Sequence, residues 1–266
     1  MRLLRFAGTA LLIAALVAVG AFFVLRFLQG TYDHPRDIAG VKGVAAITNM
    51  GAEIYAAKVG DTGAILFDTG VDVEGRPVDR LLGTLGATRT ITHAFLTHGH
   101  FDHVAAVKHL QGRGTKVHAG AADADLLAMT RPPPRRTLRI PRLVFATAPS
   151  TADVLLEGRR EIDVGGETVV AIPLPGHTPG TYLYAHRGVL YTGDAILYEG
   201  GKLVPGVDFF NEDTARNRAS IAALDLAGVE VTTICTGHTG CTPPEKTQEL
   251  LAALIDECAK AATPGR

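Results

Sequence analysis

From His98 to His103 the chain reads His-Gly-His-Phe-Asp-His, three imidazoles and a carboxylate within six residues. An apolar run, residues 91–96, leads straight into them. Imidazole nitrogen and carboxylate oxygen are the ligands that borderline divalent ions such as zinc prefer. A packed core gains nothing from four such groups side by side, because each needs its own buried partner. The rival reading is a solvated polar loop, and the density of the cluster favours a metal site.

Further ligand types lie downstream in similar settings. His177 stands in Pro-Gly-His-Thr-Pro-Gly (175–180), His238 in Thr-Gly-His-Thr-Gly (236–240), and Asp194 follows Tyr-Thr-Gly (191–193). Each comes after an apolar strand and a glycine, which lets the backbone turn sharply and aim the side chain outward from the strand end. Alone, either histidine reads more readily as a surface or core residue. Beside a cluster that calls for more ligands, both become candidates. His34, His93, His109, His118 and His186 have no such context and are not counted as ligands, although His93 reads as packed or supporting a ligand.

These residues need strands to deliver them. Runs at 44–48, 54–59 and 64–67 read as strands, the last two joined by the turn Gly60-Asp61-Thr62-Gly63. Residues 76–85 place Val78, Leu81, Leu82 and Leu85 on one helical face. Residue 104 opens a second helix, 117–118 ends a strand, and 121–129 is helical. Residues 130–150 carry five arginines and five prolines, which forbids a regular helix; this is a basic loop, solvated or in contact with anionic lipid or substrate. Then strands at 168–174, 181–185, 189–192 and 229–235 alternate with helices at 213–227, capped by Asp213, and 243–262, opened by proline. Such alternation suggests two mixed sheets packed together with helices outside.

Of the 266 residues, 47% are hydrophobic and 20% charged, a globular composition, and the net charge of −1 gives no general attraction to nucleic acid. The apolar excess sits at the start: residues 6–25 are uncharged and long enough to cross a bilayer as a helix. We read 1–28 as a membrane anchor, 29–42 as a linker and 43–262 as one catalytic domain. A cleaved signal ending near Ala18-Val19-Gly20 would leave an apolar mature terminus, and a buried soluble helix is the remaining alternative. The short basic tail resembles a signal anchor, which puts the domain outside the cytoplasm. Cys235, Cys241 and Cys258 are an odd number. Cys235 and Cys241 flank His238 and could pair in an oxidising compartment, but the favoured reading makes them small buried residues near a strand end.

The set His98, His100, Asp102, His103, His177, Asp194 and His238, in this order and these contexts, resembles the metallo-β-lactamase fold superfamily, as does Leu-Phe-Asp-Thr-Gly at 66–70. The resemblance spans about residues 44–260. It implies a four-layer αββα sandwich with metals at one edge between the sheets. It also implies that His98, His100 and His177 hold one ion, that Asp102, His103 and His238 hold the second, and that Asp194 bridges them. Two zinc ions are expected, with iron or manganese suiting the same ligands. A hydroxide between the ions would be the nucleophile, Asp102 the catalytic carboxylate, and Asp68 would orient a ligand histidine.

Asp194 with His238 argues for two metals, against single-iron dioxygenase relatives, and true zinc β-lactamases generally lack the bridging Asp. The contexts at 175–180 and 191–198 look similar to glyoxalase II and acyl-homoserine lactonase relatives. That implies hydrolysis of an ester, thioester or lactone of a small molecule, with Tyr198 as a substrate contact. Alternatives are a phosphodiesterase, a β-lactam hydrolase, or a non-catalytic membrane-tethered metal-binding module.

Overall fold

The computed structural model describes residues 31–86, 90–131 and 147–262, together with Val17, Gly20, Ala21 and Val24. Two sheets are built on short apolar runs, the central strands buried on both faces. The first runs in chain order through β1 (Arg36–Asp37), β2 (Val44–Asn49), β3 (Ala52–Val59), β4 (Gly63–Phe67), β5 (Thr90–Phe95), β6 (Lys116–Gly120) and β7 (Val154–Leu156). Its pairings are antiparallel up to β4 and parallel beyond it. The second sheet comprises β8 (Arg160–Asp163), β9 (Thr168–Pro173), β10 (Tyr182–His186), β11 (Val189–Gly193) and β14 (Thr233–Thr236), in the order β14-β11-β10-β9-β8. A separate hairpin joins β12 (Ile196–Glu199) to β13 (Lys202–Pro205).

Successive side chains on a strand point to opposite faces, so every central strand serves two cores. Tyr55, Ala57 and Phe67 from the first sheet meet Tyr184, Tyr191 and Cys235 from the second. Phe67 stacks on Tyr191 with ring centroids 3.6 Å apart, and full burial of an apolar ring stabilises by about 1.5–3 kcal/mol. On the outer face of the first sheet, Ile54 and Leu66 pack with Val78 and Leu81 of α1 (Arg76–Leu85), and with Val104 and Val107, which belong to α2 (Phe101–Val104) and α3 (Val107–Gly112). On the outer face of the second, Leu183, Leu190 and Ile234 pack with Ile221 and Leu254. These two belong to α5 (Thr214–Ala222) and α6 (Thr247–Ala262), while a single turn, α4 (Ala124–Leu127), follows β6. The layers run helix, sheet, sheet, helix.

Several expectations change in detail. The helix read from residue 104 is two short pieces, because the N–H groups of Ala105 and Ala106 are donated to Gly70 O and Thr69 Oγ1 in the loop after β4. The helix at 213–227 has the expected cap, Asp213 Oδ1 accepting from Arg216 N at 2.8 Å, but ends at Ala222. The short strands β7 and β8 and the β12–β13 hairpin, turned by Gly200 and Gly201 at positive φ, went unread. The linker expected at 29–42 is partly built into the fold. β1 pairs with β2, Tyr32 bridges to Asn49, and Ile38 is buried between the sheets.

Cys235 and Cys241 need a correction. They are buried or half-buried as read, but joined by a disulfide whose Cα atoms lie 4.1 Å apart. The chain folds back between them as an antiparallel bridge, which puts the two sulfurs in reach. The expected anchor at 6–25 lies outside the described residues save for Val17, Gly20, Ala21 and Val24. Among the described residues no helix is long and apolar enough to cross a membrane. Most of the basic loop, 132–146, is likewise outside them.

Candidate metal centre

Four strands deliver the candidate ligands to one edge of the sandwich, and a fifth delivers the supporting Asp68. Asp68 follows β4, His98 and His100 follow β5, His177 follows β9, Asp194 follows β11, and His238 follows β14, while Asp102 and His103 begin the turn of α2. All seven predicted ligands converge. His98, His100 and His177 form one group, Asp102, His103 and His238 another, and His98, His103 and Asp194 a third that links them; within each, ligand atoms lie within 4.8 Å of one another.

The hydrogen bonds fix which atoms face inward. His177 Nδ1 lies 2.9 Å from Asn211 Oδ1, whose own Nδ2 donates to Gly206 O, so His177 Nδ1 carries the proton. His238 Nδ1 donates to Gly51 O at 2.9 Å. His103 Nδ1 donates to Asp68 Oδ2 at 2.8 Å. Thr97 Oγ1 donates to Asp68 Oδ2 at 2.7 Å and so accepts from His98 Nδ1 at 3.1 Å. In all four rings Nε2 is left as the inward atom. His98 Nε2 and His100 Nε2 are buried without a hydrogen-bond partner among the described residues, and His103 Nε2 and Asp194 Oδ1 face each other at 3.3 Å. Such orphans cost free energy unless something else satisfies them, and convergent imidazole and carboxylate donors fit a divalent metal.

Charge divides the cluster. Burial, reinforced by the neighbouring imidazoles, holds His98 well below the ordinary histidine value and His100 down to about 3. Burial also lowers His177. On the other side burial works against charge, and the carboxylates override it. Asp194, Asp68 and Asp102 hold His103 well above its usual value, and Asp194 and Asp102 raise His238 to about 10. Burial likewise opposes ionisation of the carboxylates, but His103 and His238 pull Asp194 well below the ordinary range and also lower Asp102. His238 Nε2 is 3.2 Å from Asp194 and 3.5 Å from Asp102.

Asp68 adopts a left-handed backbone, φ 59°, which is uncommon for a non-glycine residue. Thr97 N and Oγ1, each 2.7 Å from its carboxylate, and His103 hold it there. Gly237 is required by space: a Cβ would come 2.1 Å from Asp194 Oδ1 and 2.9 Å from His103 Cε1.

Tyr198 is a correction. On β12 the alternation turns Leu197 and Glu199 to the pocket, while the Tyr198 ring packs with the outer core of the second sheet. Its N–H donates to Thr239 Oγ1 at 2.9 Å. Two supporting residues were missed. Buried Asp123 accepts from Gly99 N, Thr178 Oγ1 and Gly180 N, tying the His98–His100 loop to the His177 loop. Asn211 fixes His177. Neither stands in a motif, though Gly180, whose Cβ would strike Asp123, was a signal that something approaches closely there.

The centre forms the floor of a cavity of about 350 Å³. Phe101, Leu126, Leu197, Val207 and Phe210 supply its apolar walls.

Residues 53–238 match the family described as Metallo-beta-lactamase superfamily. Hydroxyacylglutathione hydrolase of Fuscovulum blasticum is 34% identical over 152 residues, 56% of this chain and 48% of that protein. The enzyme of the same name from Cereibacter sphaeroides is 32% identical over 152 residues, with the same coverage. A probable metallo-hydrolase of Mycobacterium tuberculosis is 32% identical over 125 residues, 42% of this chain and 39% of that one. The chain spans about half the length or less of these curated relatives. Among solved structures, the BLEG-1 B3 metallo-beta-lactamase superposes with a TM-score of 0.60 at 23% identity, covering 84% of this chain and 99% of that chain. BJP-1 of Bradyrhizobium japonicum, a subclass B3 metallo-beta-lactamase, gives 0.62 at 18%, covering 88% and 93%. At these identities the likeness is one of fold alone.

Proposed function

The chain belongs to the metallo-beta-lactamase superfamily, whose relatives here are hydrolases, and on that premise we propose that it hydrolyses an ester, thioester or lactone of a small molecule. The observation that carries the reading is the seven-residue cluster on the floor of an apolar-walled cavity. His98, His100 and His177 would hold one ion, and Asp102, His103 and His238 a second, with Asp194 between them. Two divalent ions, zinc first, would lower the pKa of water toward neutrality and polarise a carbonyl oxygen. The chain's own part is positional. Asp68, Asn211 and the Gly51 carbonyl fix the tautomers of His103, His177 and His238. Asp102 lines the cavity, and its carboxylate, held ionised by His103 and His238, would accept a hydrogen bond from the attacking water.

The curated relatives named hydroxyacylglutathione hydrolase favour a thioester or ester over a phosphodiester. So does the cavity lining, which has no lysine or arginine among the described residues. A non-catalytic module would need only the four ligands of a closed structural zinc site. The proposal also tethers the domain to a bilayer through residues 6–25 and places it outside the cytoplasm. Support comes from that uncharged run and from the Cys235–Cys241 disulfide, a bond that persists in oxidising compartments.

Full-length protein purified in detergent is expected to carry two metal ions per chain and to hydrolyse at least one of a thioester and a lactone. Fewer than one ion per chain, or undiminished turnover in Asp102→Ala, would overturn the reading.

A further inference from the structure

Among the described residues, the cavity lining has one ionisable side chain beyond the candidate ligands. Glu199 lies at the end of β12, beside the Gly200–Gly201 turn, on the same strand face as Leu197. It is exposed to the cavity mouth, and among the described residues it forms no ion pair. Its cross-strand neighbour Lys202 is exposed, does not line the cavity and makes no ion pair with it. Arg131, a described cation of the basic segment, is already engaged with Glu212 at 2.8 Å. The remaining described walls are Phe101, Leu126, Leu197, Val207 and Phe210, with Thr239 beside His238.

These walls make a demand on the substrate that the chemistry of the metal floor does not. An anionic group brought into the cavity would shed water against aromatic and aliphatic surface and meet a carboxylate, with no described cation on the wall to offset it. A glutathionyl group carries two carboxylates, so the thioester class that gives the curated relatives their name fits this lining poorly. A cation carried on an apolar substrate would gain both burial of its chain and attraction to Glu199.

Resting on the hydrolase reading above, we propose that Glu199 is a specificity-determining residue that selects apolar esters, thioesters or lactones bearing a cationic group, and rejects anionic glutathione thioesters.

The test uses metal-loaded full-length protein and three thioesters of one medium-chain acid, formed with thiocholine, N-acetylcysteamine and glutathione. The expected kcat/KM order is cationic, neutral, anionic, with up to about fivefold between successive members, the size of one exposed charge contact. Glu199→Gln is expected to compress the range to about threefold or less, and Glu199→Lys to reverse the order. Glu199 is an exposed strand-end residue, so both variants should fold, as circular dichroism can verify. Glutathione thioester as the best substrate of the unaltered protein, or an order unchanged in Glu199→Lys, would overturn the proposal. Turnover of all three without charge preference defeats this inference alone. Turnover of none, including a lactone control, defeats the hydrolase reading with it.

Discussion

The two halves of the centre are built on opposite principles. His98, His100 and His177 sit nearly sealed from solvent, with no carboxylate among them, and burial keeps their rings neutral. Asp102 and His238 are the more exposed members of the second group, His238 with a third of its side chain exposed, while His103 is fully buried, and there the carboxylates and imidazoles hold one another charged. The supports differ as well. Side chains anchor the first half: Asp123 ties its loops and Asn211 fixes His177. The His238 loop relies on backbone, with its ring on Gly51 O, Gly237 N donating to Gly193 O at 2.7 Å and Glu53 N donating to Gly237 O at 2.8 Å, and on the disulfide that closes it. The first half offers an ion three imidazoles, and the second two imidazoles with a carboxylate.

Asp194 joins the halves, so its loss should have the largest effect. Its Oδ2 lies 3.8 Å from His177 Nε2 and 3.2 Å from His238 Nε2. Asp194→Ala should lower kcat/KM by about 10²–10³-fold or more, because an electrostatic group at the reacting centre is lost. It should also strip metal from the second half before the first, since the first retains three neutral imidazoles. Metal analysis alongside steady-state kinetics checks this, and equal loss from both halves would erase the distinction.

The disulfide offers a smaller and more local test. Replacing both cysteines, Cys235→Ser with Cys241→Ser, releases a seven-residue loop, and the chain-entropy argument puts the lost stability at about 2 kcal/mol. Urea unfolding should register that loss. Dialysis against a weak chelator should then remove the ion beside His238 while the ion at His98, His100 and His177 stays. Retention of both would show that the backbone bonds of the loop suffice.

How much of this was legible in the sequence follows from the same contrast. All seven clustered residues could be read because chemistry bunched them, either within residues 98–103 or behind a glycine at a strand end. The sandwich could be read because short apolar runs alternate with helical stretches and the motifs resemble a family with that fold; the runs are continuous because Ile54 and Tyr55, or Leu66 and Phe67, serve different cores. Asp123 and Asn211 were hidden because a single carboxylate or amide becomes a support only through partners distant in the chain. Pairing of Cys235 with Cys241 depends on a fold-back that spacing alone leaves open. Tyr198 misled because a one-residue step along a strand reverses the face.

Buried imidazoles without partners are not by themselves ligands, and His118 makes that testable outside the centre. Both of its ring nitrogens lack a hydrogen-bond partner among the described residues, much as His98 Nε2 does. Its surroundings are a stack on Phe95 at 4.6 Å and the His93 ring at 5.3 Å, with no convergent ligand set among the described residues. Burial, then His93 and Lys116, push it down to about 4. The fold therefore holds this ring neutral while the unfolded chain takes up a proton first as pH falls below about 6.5. Stability tied to His118 is intact above that value and drains away between about 6.5 and 4. His118→Phe should flatten this decline, recovering roughly 1 kcal/mol at pH 5 relative to pH 7 in paired urea titrations. Metal content should be unchanged, because no ligand is touched. A fall in metal content would place His118 in the support of the centre, and an undiminished acid slope would assign the decline to other groups.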